Sequence, residues 1–376
     1  MQGDLSNVTA PPSFLAPSSV VEVGHCWAQR PAVFAAPARE TDPEKRALLV
    51  LRLVLVALRS QLYIAGSPTV SIKKPLNAFL GEVFLAAWAD EAAGARTRLV
   101  AEQVSHHPPI TAMHIADAAN GVRADGYARV EMTFTGTVNI QQVGHAVLYL
   151  DRWDEQYLIP LPDVKVRGFL GCKLYPEVLG TYRILSSAGY VAEMDFTGEG
   201  YLSGKRNSFD ARLYHTDDPA RTLYRAVGVW SQGWTVTDAR TGDEVERYDV
   251  DAAENAPAPL EIAPRDKQDV WESRRAWGGV LDGMAAGDVC RVVAEKKQLE
   301  QAQRQMRKRE AAAGDNKWEP LFFRSLPGAE HDVFHRLTEG TAWRLCDDKT
   351  KGVWRIHDDA LERVKVPFRG ELTPHG

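Results

Sequence analysis

The sequence predicts a mainly β protein with flanking α segments, in which one large antiparallel sheet curls toward a closed barrel. Three observations carry this. From Leu80 to about Val250 the apolar residues recur with the period of strands, and candidate strands follow one another with short turns such as Asn120-Gly121 and almost no helix between them. A meander that long must curl, and closing it removes its edges. Helical patterns occur only before and after it. Small barrels fill with their own side chains, whereas one this large leaves an interior that encloses a ligand cavity or channel.

Residues 1–40 are rich in Pro, Ala and Ser, with Ala10-Pro11-Pro12 and Arg30-Pro31 as breakers, and read as an irregular wrapping segment pinned by Trp27 and Phe34. Thr41-Asp42-Pro43-Glu44 combines an N-cap, a first-turn proline and a glutamate at the capping-box position, so a helix should run to about Tyr63 and stop at Gly66. Strands are expected at 84–88, 97–104, 110–115, 123–134, 138–150, 157–166, 180–185, 190–196, 210–214, 223–229 and 233–237. An Ala/Pro-rich connector, 252–264, leads to helices at about 269–276 and 288–312 and then to a tail bearing Trp318, Phe322, Phe323, Trp343 and Trp354. The segments are therefore 1–40, 41–79, 80–250 and 251–376, all within one domain.

The 376 residues, 44% hydrophobic and 25% charged, are those of a soluble globular chain. A net charge of −5 argues against a nucleic-acid binder, so any basic site must be local. Cys26, Cys172, Cys290 and Cys346 lie far apart and suggest neither a zinc cluster nor a disulfide scaffold, which fits a reducing cytoplasmic location. The most apolar run, Ala47 to Leu58, is interrupted by Arg52 and too short to span a bilayer. No signal-peptide pattern opens the chain.

Three stretches could carry chemistry. In Glu102-Gln-Val-Ser-His-His-Pro-Pro109, two adjacent imidazoles stand on a proline-stiffened backbone, which suits a fixed site for an anion or a metal; the plainer reading is a surface turn with solvated histidines. Lys296, Glu300 and Arg304 recur every four residues along a polar helix, either as solvated ion pairs or as a phosphate clamp. Lys74-Pro-Leu-Asn77 offers a cation and an amide donor in a stiff loop, although this is also ordinary turn chemistry. The chain has no Walker A loop, dinucleotide-binding glycine motif, His-Glu-x-x-His or nucleophile elbow.

Together these stretches resemble the oxysterol-binding-protein-related family, whose Glu-Gln-Val-Ser-His-His-Pro-Pro fingerprint is matched at every position by Glu102 to Pro109. Lys74 to Glu82, Gly204 to Ser208, Glu272 to Trp277 and the Lys296/Glu300/Arg304 helix add to the likeness, which covers nearly the whole chain. The chain looks like the short fungal members that consist of the lipid-binding domain alone. The resemblance implies a near-complete antiparallel β-barrel around a hydrophobic tunnel, an N-terminal lid and helix, and a C-terminal helical subdomain. It also implies that His106, His107, Lys74, Asn77, Lys296, Glu300 and Arg304 bind the headgroup of phosphatidylinositol 4-phosphate, and that Trp27, Gln61, Leu62 and Gln142 line the tunnel.

The function so implied is lipid transfer without catalysis, cofactor or metal: phosphatidylinositol 4-phosphate is exchanged for a second lipid, a sterol, during transient peripheral contact with membranes. The alternative is a lipid sensor that regulates partners and transports little, and a hydrolase using the histidine pair is a third, disfavoured reading. Two departures stand out. Ala78 replaces a usual proline, which should loosen its loop, and only Met1 to Thr9 precede Ala10-Pro11-Pro12, so the lid should be short or truncated.

Overall fold

The computed structural model describes residues 3–4, 11–168, 173–198, 205–313 and 318–376. Strands β1 (Gly3–Asp4) and β2 (Leu15–Ser19) are followed by helices α1 (His25–Ala28), α2 (Pro31–Arg39) and α3 (Pro43–Leu62). β3 (Lys74–Leu76) pairs in parallel with β2. The main run comprises β4 (Val83–Asp90), β5 (Ala95–His106), β6 (Pro109–Asp117), β7 (Val122–Phe134), β8 (Val138–Leu150), β9 (Glu155–Pro160), β10 (Val164–Arg167) and β11 (Tyr175–Val178). It continues through β12 (Gly180–Ser186), β13 (Tyr190–Thr197), β14 (Ser208–His215), β15 (Tyr224–Val229), β16 (Gly233–Asp238), β17 (Glu244–Asp249) and β18 (Leu260–Glu261). Helices α4 (Ser273–Ala276), α5 (Gly278–Ala285) and α6 (Val289–Ala313) come next. The pair β19 (Phe323–Leu326) and β20 (Val353–Ile356) brackets α7 (Asp332–Thr338) and α8 (Asp347–Thr350), and α9 (Ala360–Arg363) follows.

Sixteen strands form one antiparallel sheet, ordered β17-β16-β15-β14-β13-β12-β9-β8-β7-β6-β5-β4-β18, with β1 on β7 and with β10 joining β8 to β11. Laid flat, the ordered path would be ~58 Å wide at about 4.8 Å per strand. Yet Phe84 and Trp88 of β4, Leu148 of β8, Ile184 of β12 and Tyr248 of β17 belong to a single buried cluster with Trp27, Phe34, Leu51, Leu55 and Leu58 of α1 to α3. Only a sheet curled around those helices can bring both of its ends to one core. The barrel is nevertheless open, because β17 and β18 do not pair with each other.

The N-terminal helices bridge that opening. Ala28 O accepts from Thr97 Oγ1 of β5, while on α3 Arg52 pairs with Glu246 and Arg59 donates to Ser231 O and pairs with Asp251. Each leucine fully buried on α3 contributes about 2 kcal/mol, so a charge at Leu55 would detach the helix from the sheet.

Local readings were corrected where prolines or polarity misled. Residues 31–39 form a helix, because Pro31 sits at its first position, where a missing N–H costs nothing. The α3 N-cap is Asp42, whose carboxylate accepts from Glu44 N, and the helix ends where expected, at Leu62 with Tyr63 as its C-cap. The strand expected at 157–166 divides into β9 and β10. β17 went unread because Glu244-Val-Glu-Arg-Tyr-Asp249 is a mostly exposed edge. The helix expected at 269–276 is a turn of α4 continued by α5. Apart from the backbone of Gly3 and Asp4, the lid segment lies outside the described residues, as do Cys172 and Gly204.

Candidate anion-binding site

The fingerprint divides into a part that builds and a part that presents. Glu102 is wholly buried on β5, and its carboxylate accepts from Leu321 N at 2.8 Å and Phe322 N at 2.9 Å, tying the C-terminal segment to the sheet. Gln103 accepts from Thr111 Oγ1 across the hairpin and donates to Ser105 O, bracing a register shift between Gln103 and Ser105. Ser105 Oγ accepts from Lys351 Nζ at 3.1 Å. A bulge of this kind re-aims the residues that follow it. Those residues are His106 and His107, at the turn into β6.

Glu82 does for the lysine loop what Glu102 does for the tail. Fully buried, it accepts from Phe79 N, Ser273 Oγ and Trp277 Nε1, and so fastens the loop after β3 to α4. Burial pushes both carboxyls up to about 7, against the pull of these donors. Gly81 completes the turn with φ +78°; a Cβ there would lie 2.2 Å from the Trp318 ring, so only glycine fits.

The third wall is α6. Val292, Leu299 and Met306, seven residues apart, pack with Leu76, Phe79 and Trp277, which fixes the rotation of the helix. At about 100° per residue, Arg307 then lies ~20° from Lys296, Glu300 ~40° and Arg304 ~80°. Arg307 donates to His107 Nε2 at 2.5 Å, and Lys296 pairs with Glu300. Arg304 is exposed, as is Asn77. Thus Lys74, His106, His107, Lys296 and Glu300 converge, Asn77 and Arg304 stand at the rim, and Arg307 is a member that sequence reasoning missed. Following strict steps of four lost it; three full turns, about eleven residues, would have found it.

The electrostatics are those of a cationic mouth. Burial, and then the nearby Lys296 ammonium, lower the Lys74 pKa. Burial, Arg307 and His107 together push His106 down to about 4, and His107 is lowered by burial, Arg307 and Lys351. His106 Nδ1 donates to Ala78 O at 3.0 Å, so the residue that replaces the usual proline orients this ring through its carbonyl. The imidazole planes meet edge-on, with centroids 4.9 Å apart. Lys74, Lys296, Arg307 and Lys351 thus surround two neutral imidazoles, with Glu300 as the nearby carboxylate. Such an arrangement suits a multiply charged anion, which would relieve cation repulsion and favour protonation of His106. Among the described residues, no group of three or more His, Cys, Asp and Glu side chains could hold a metal ion.

Of the candidate lining residues, Trp27 and Leu62 are buried in the main core and Gln61 is partly buried. Gln142 donates to Pro162 O at 2.6 Å, close to the break between β9 and β10. Among the described residues, no helix is long and apolar enough to cross a membrane.

The chain is thus a curled antiparallel sheet wrapped around N-terminal helices, with a cationic mouth at one hairpin. The oxysterol-binding protein family profile matches residues 1–279, and the chain belongs to that family. It is 47% identical over 378 residues to the probable transporter efuK of Hormonema carpetanum, aligning over 100% of this chain and 53% of that protein. Protein kes1 of Schizosaccharomyces pombe is 34% identical over 311 residues, with 82% of this chain and 80% of that protein aligned. In fold, the chain is similar to the Osh1 ORD domain solved with cholesterol, with a TM-score of 0.72 at 17% identity over 96% of this chain and 85% of that one. It is also similar to the Osh3 ORD of Saccharomyces cerevisiae solved with PI(4)P, with a TM-score of 0.67 at 18% identity over 90% and 92% of the two chains.

Proposed function

We propose that this chain is a non-enzymatic lipid-transfer protein that binds phosphatidylinositol 4-phosphate at the β5–β6 mouth and exchanges it for a sterol between membranes. The observation that carries the reading is the convergence of Lys74, His106, His107, Lys296 and Arg307 in a chain of net charge −5. The phosphate receives charge-assisted bonds from Lys74, Lys296 and Arg307, with Asn77 and Arg304 reaching in from the rim, while Glu300 orients Lys296 and accepts from inositol hydroxyls. His107, whose Nε2 accepts from Arg307, donates through Nδ1, and His106 Nε2 becomes a donor once the anion favours its protonated form.

The lipid tails enter the curled sheet, where Trp27, Gln61, Leu62 and Gln142 line the path. Burial recovers about 0.8 kcal/mol per CH₂, so the tails provide retention and the charged mouth provides identity. Solved relatives of the same fold carry each of the two proposed cargoes, cholesterol in one and PI(4)P in another.

The test is extraction of phosphatidylinositol 4-phosphate from liposomes by the wild type and by the double variant His106→Ala/His107→Ala. Loss of extraction in a folded variant is expected; unchanged extraction would remove the headgroup assignment. A donor-to-acceptor transfer assay separates exchange from the sensor reading, which predicts binding without net transport.

A further inference from the structure

One flank of α6 is unexplained by the headgroup site. Asp288 caps the helix, its carboxylate accepting from Arg291 N at 2.9 Å, and the stripe through Val292, Leu299 and Met306 turns one side to the core. Measured from Lys296 at about 100° per residue, Val289 falls at ~20°, Val293 at ~60°, Lys297 at ~100° and Lys308 at ~120°. All four are exposed, the valines by 55% and 50%. Within this sector the helix also carries Lys296, Arg304 and Arg307, and Glu300 is its only carboxylate. That glutamate is already paired with Lys296. The opposite flank carries Gln298, Gln301 and Gln305 together with Arg291 and Arg309, but no exposed valine.

Two half-exposed valines on a polar helix, next to Lys297 and Lys308, which pair with no carboxylate among the described residues, add little to the packing of the domain. They suit a surface that is apolar just below a layer of negative charge. The sector adjoins the mouth, because Lys296 and Arg307 lie at its inner edge. A chain of net charge −5 also needs a localised cationic face to approach an anionic bilayer. We propose that this flank of α6 docks on the anionic surface of a lipid bilayer, with Val289 and Val293 seated at the acyl boundary and Lys297 and Lys308 among the headgroups. Docking there holds the mouth against the membrane. The inference rests on the headgroup reading for its orientation but uses residues outside that site.

The experiment measures co-sedimentation of the full chain with phosphatidylcholine vesicles containing or lacking phosphatidylserine, alongside binding of a soluble short-chain phosphatidylinositol 4-phosphate. Lys297→Gln with Lys308→Gln should weaken binding to the anionic vesicles by about 30-fold, the effect of two surface cations. Val289→Ser with Val293→Ser should weaken it further, and Arg309→Gln on the far flank should leave it unchanged. Every variant should keep wild-type affinity for the soluble lipid, which also reports that it is folded. Unchanged vesicle binding in both double variants overturns the proposal, as does a wild type that ignores phosphatidylserine; the flank would then face a protein. Failure of the wild type to bind the soluble lipid would instead remove the headgroup reading.

Discussion

Two pairs of histidines in this molecule do opposite work with the same chemistry. His106 and His107 are adjacent in sequence and sit at a turn where cations gather at the edge of solvent. His145 and His331 are 186 residues apart and buried, with their Nε2 atoms 2.7 Å from each other on the other side of β8 from the main core. Arg355, which can only donate, approaches His331 Nδ1 at 2.8 Å, so His331 carries its proton on Nε2 and gives it to His145. His145 then directs Nδ1–H toward Tyr127 Oη, 3.5 Å away. Each ring nitrogen of this second pair is committed, and the pair interlocks α7 with the sheet. An imidazole pair is a binding site only where a nitrogen remains free to meet a ligand.

The comparison is broken most severely at the mouth. His106→Ala with His107→Ala should lower affinity for soluble phosphatidylinositol 4-phosphate by at least about 100-fold, since each charge-assisted bond is worth about 1.5–3 kcal/mol, with little change in the melting temperature. His331→Ala should do the reverse. It strands His145 Nε2 and opens a void, costing about 2–4 kcal/mol of stability as read by urea denaturation, while headgroup affinity stays at the wild-type level.

Acid sharpens the contrast. His145 is held well below the ordinary histidine value by burial and by His331 and Arg355, and His331 is pushed down to about 3 by burial and Arg355. The facing His335 and Tyr127 supply no compensating negative charge. The unfolded chain therefore binds more protons than the folded one. The stability these groups provide is complete above pH ~6.5 and declines below it by up to about 1.4 kcal/mol per pH unit for each group. His106, at about 4, obeys the same rule in the absence of ligand. A bound phosphate raises its pKa, so headgroup affinity should increase as pH falls from about 7 to 5 while urea stability drops. A calorimetric titration across that range checks the sign; affinity that fell in step with stability would contradict it.

The smallest effect distinguishes two arginines. Arg307→Ala removes a guanidinium in contact with His107 and should weaken headgroup binding by about tenfold, whereas Arg304→Ala, at the solvated rim, should cost about threefold.

Much of this was legible in the chain. The strands announced themselves through period-two alternation, α3 through its cap and apolar run, and the mouth through Glu102 to Pro109, because each signal lies in residues close together in sequence. The misses have physical causes as well. Pro31 opens a helix but reads as a breaker, and the β17 edge is too polar to alternate. Arg307 joins Lys296 only after three helical turns, and His331 has no local pattern that points to His145.

The sequence by itself therefore determined the order of most elements and the family fingerprint, since these depend on local periodicity and contiguous side chains. Only the tertiary structure decided which residues meet. The curl of the sheet brings β3, the β5–β6 turn and α6 to one place, and the Val292/Leu299/Met306 stripe sets the rotation of α6. That rotation turns Arg307 toward His107 and Val293, Lys297 and Lys308 toward solvent. Pairings of this kind arise from packing across the fold, which a linear pattern does not record.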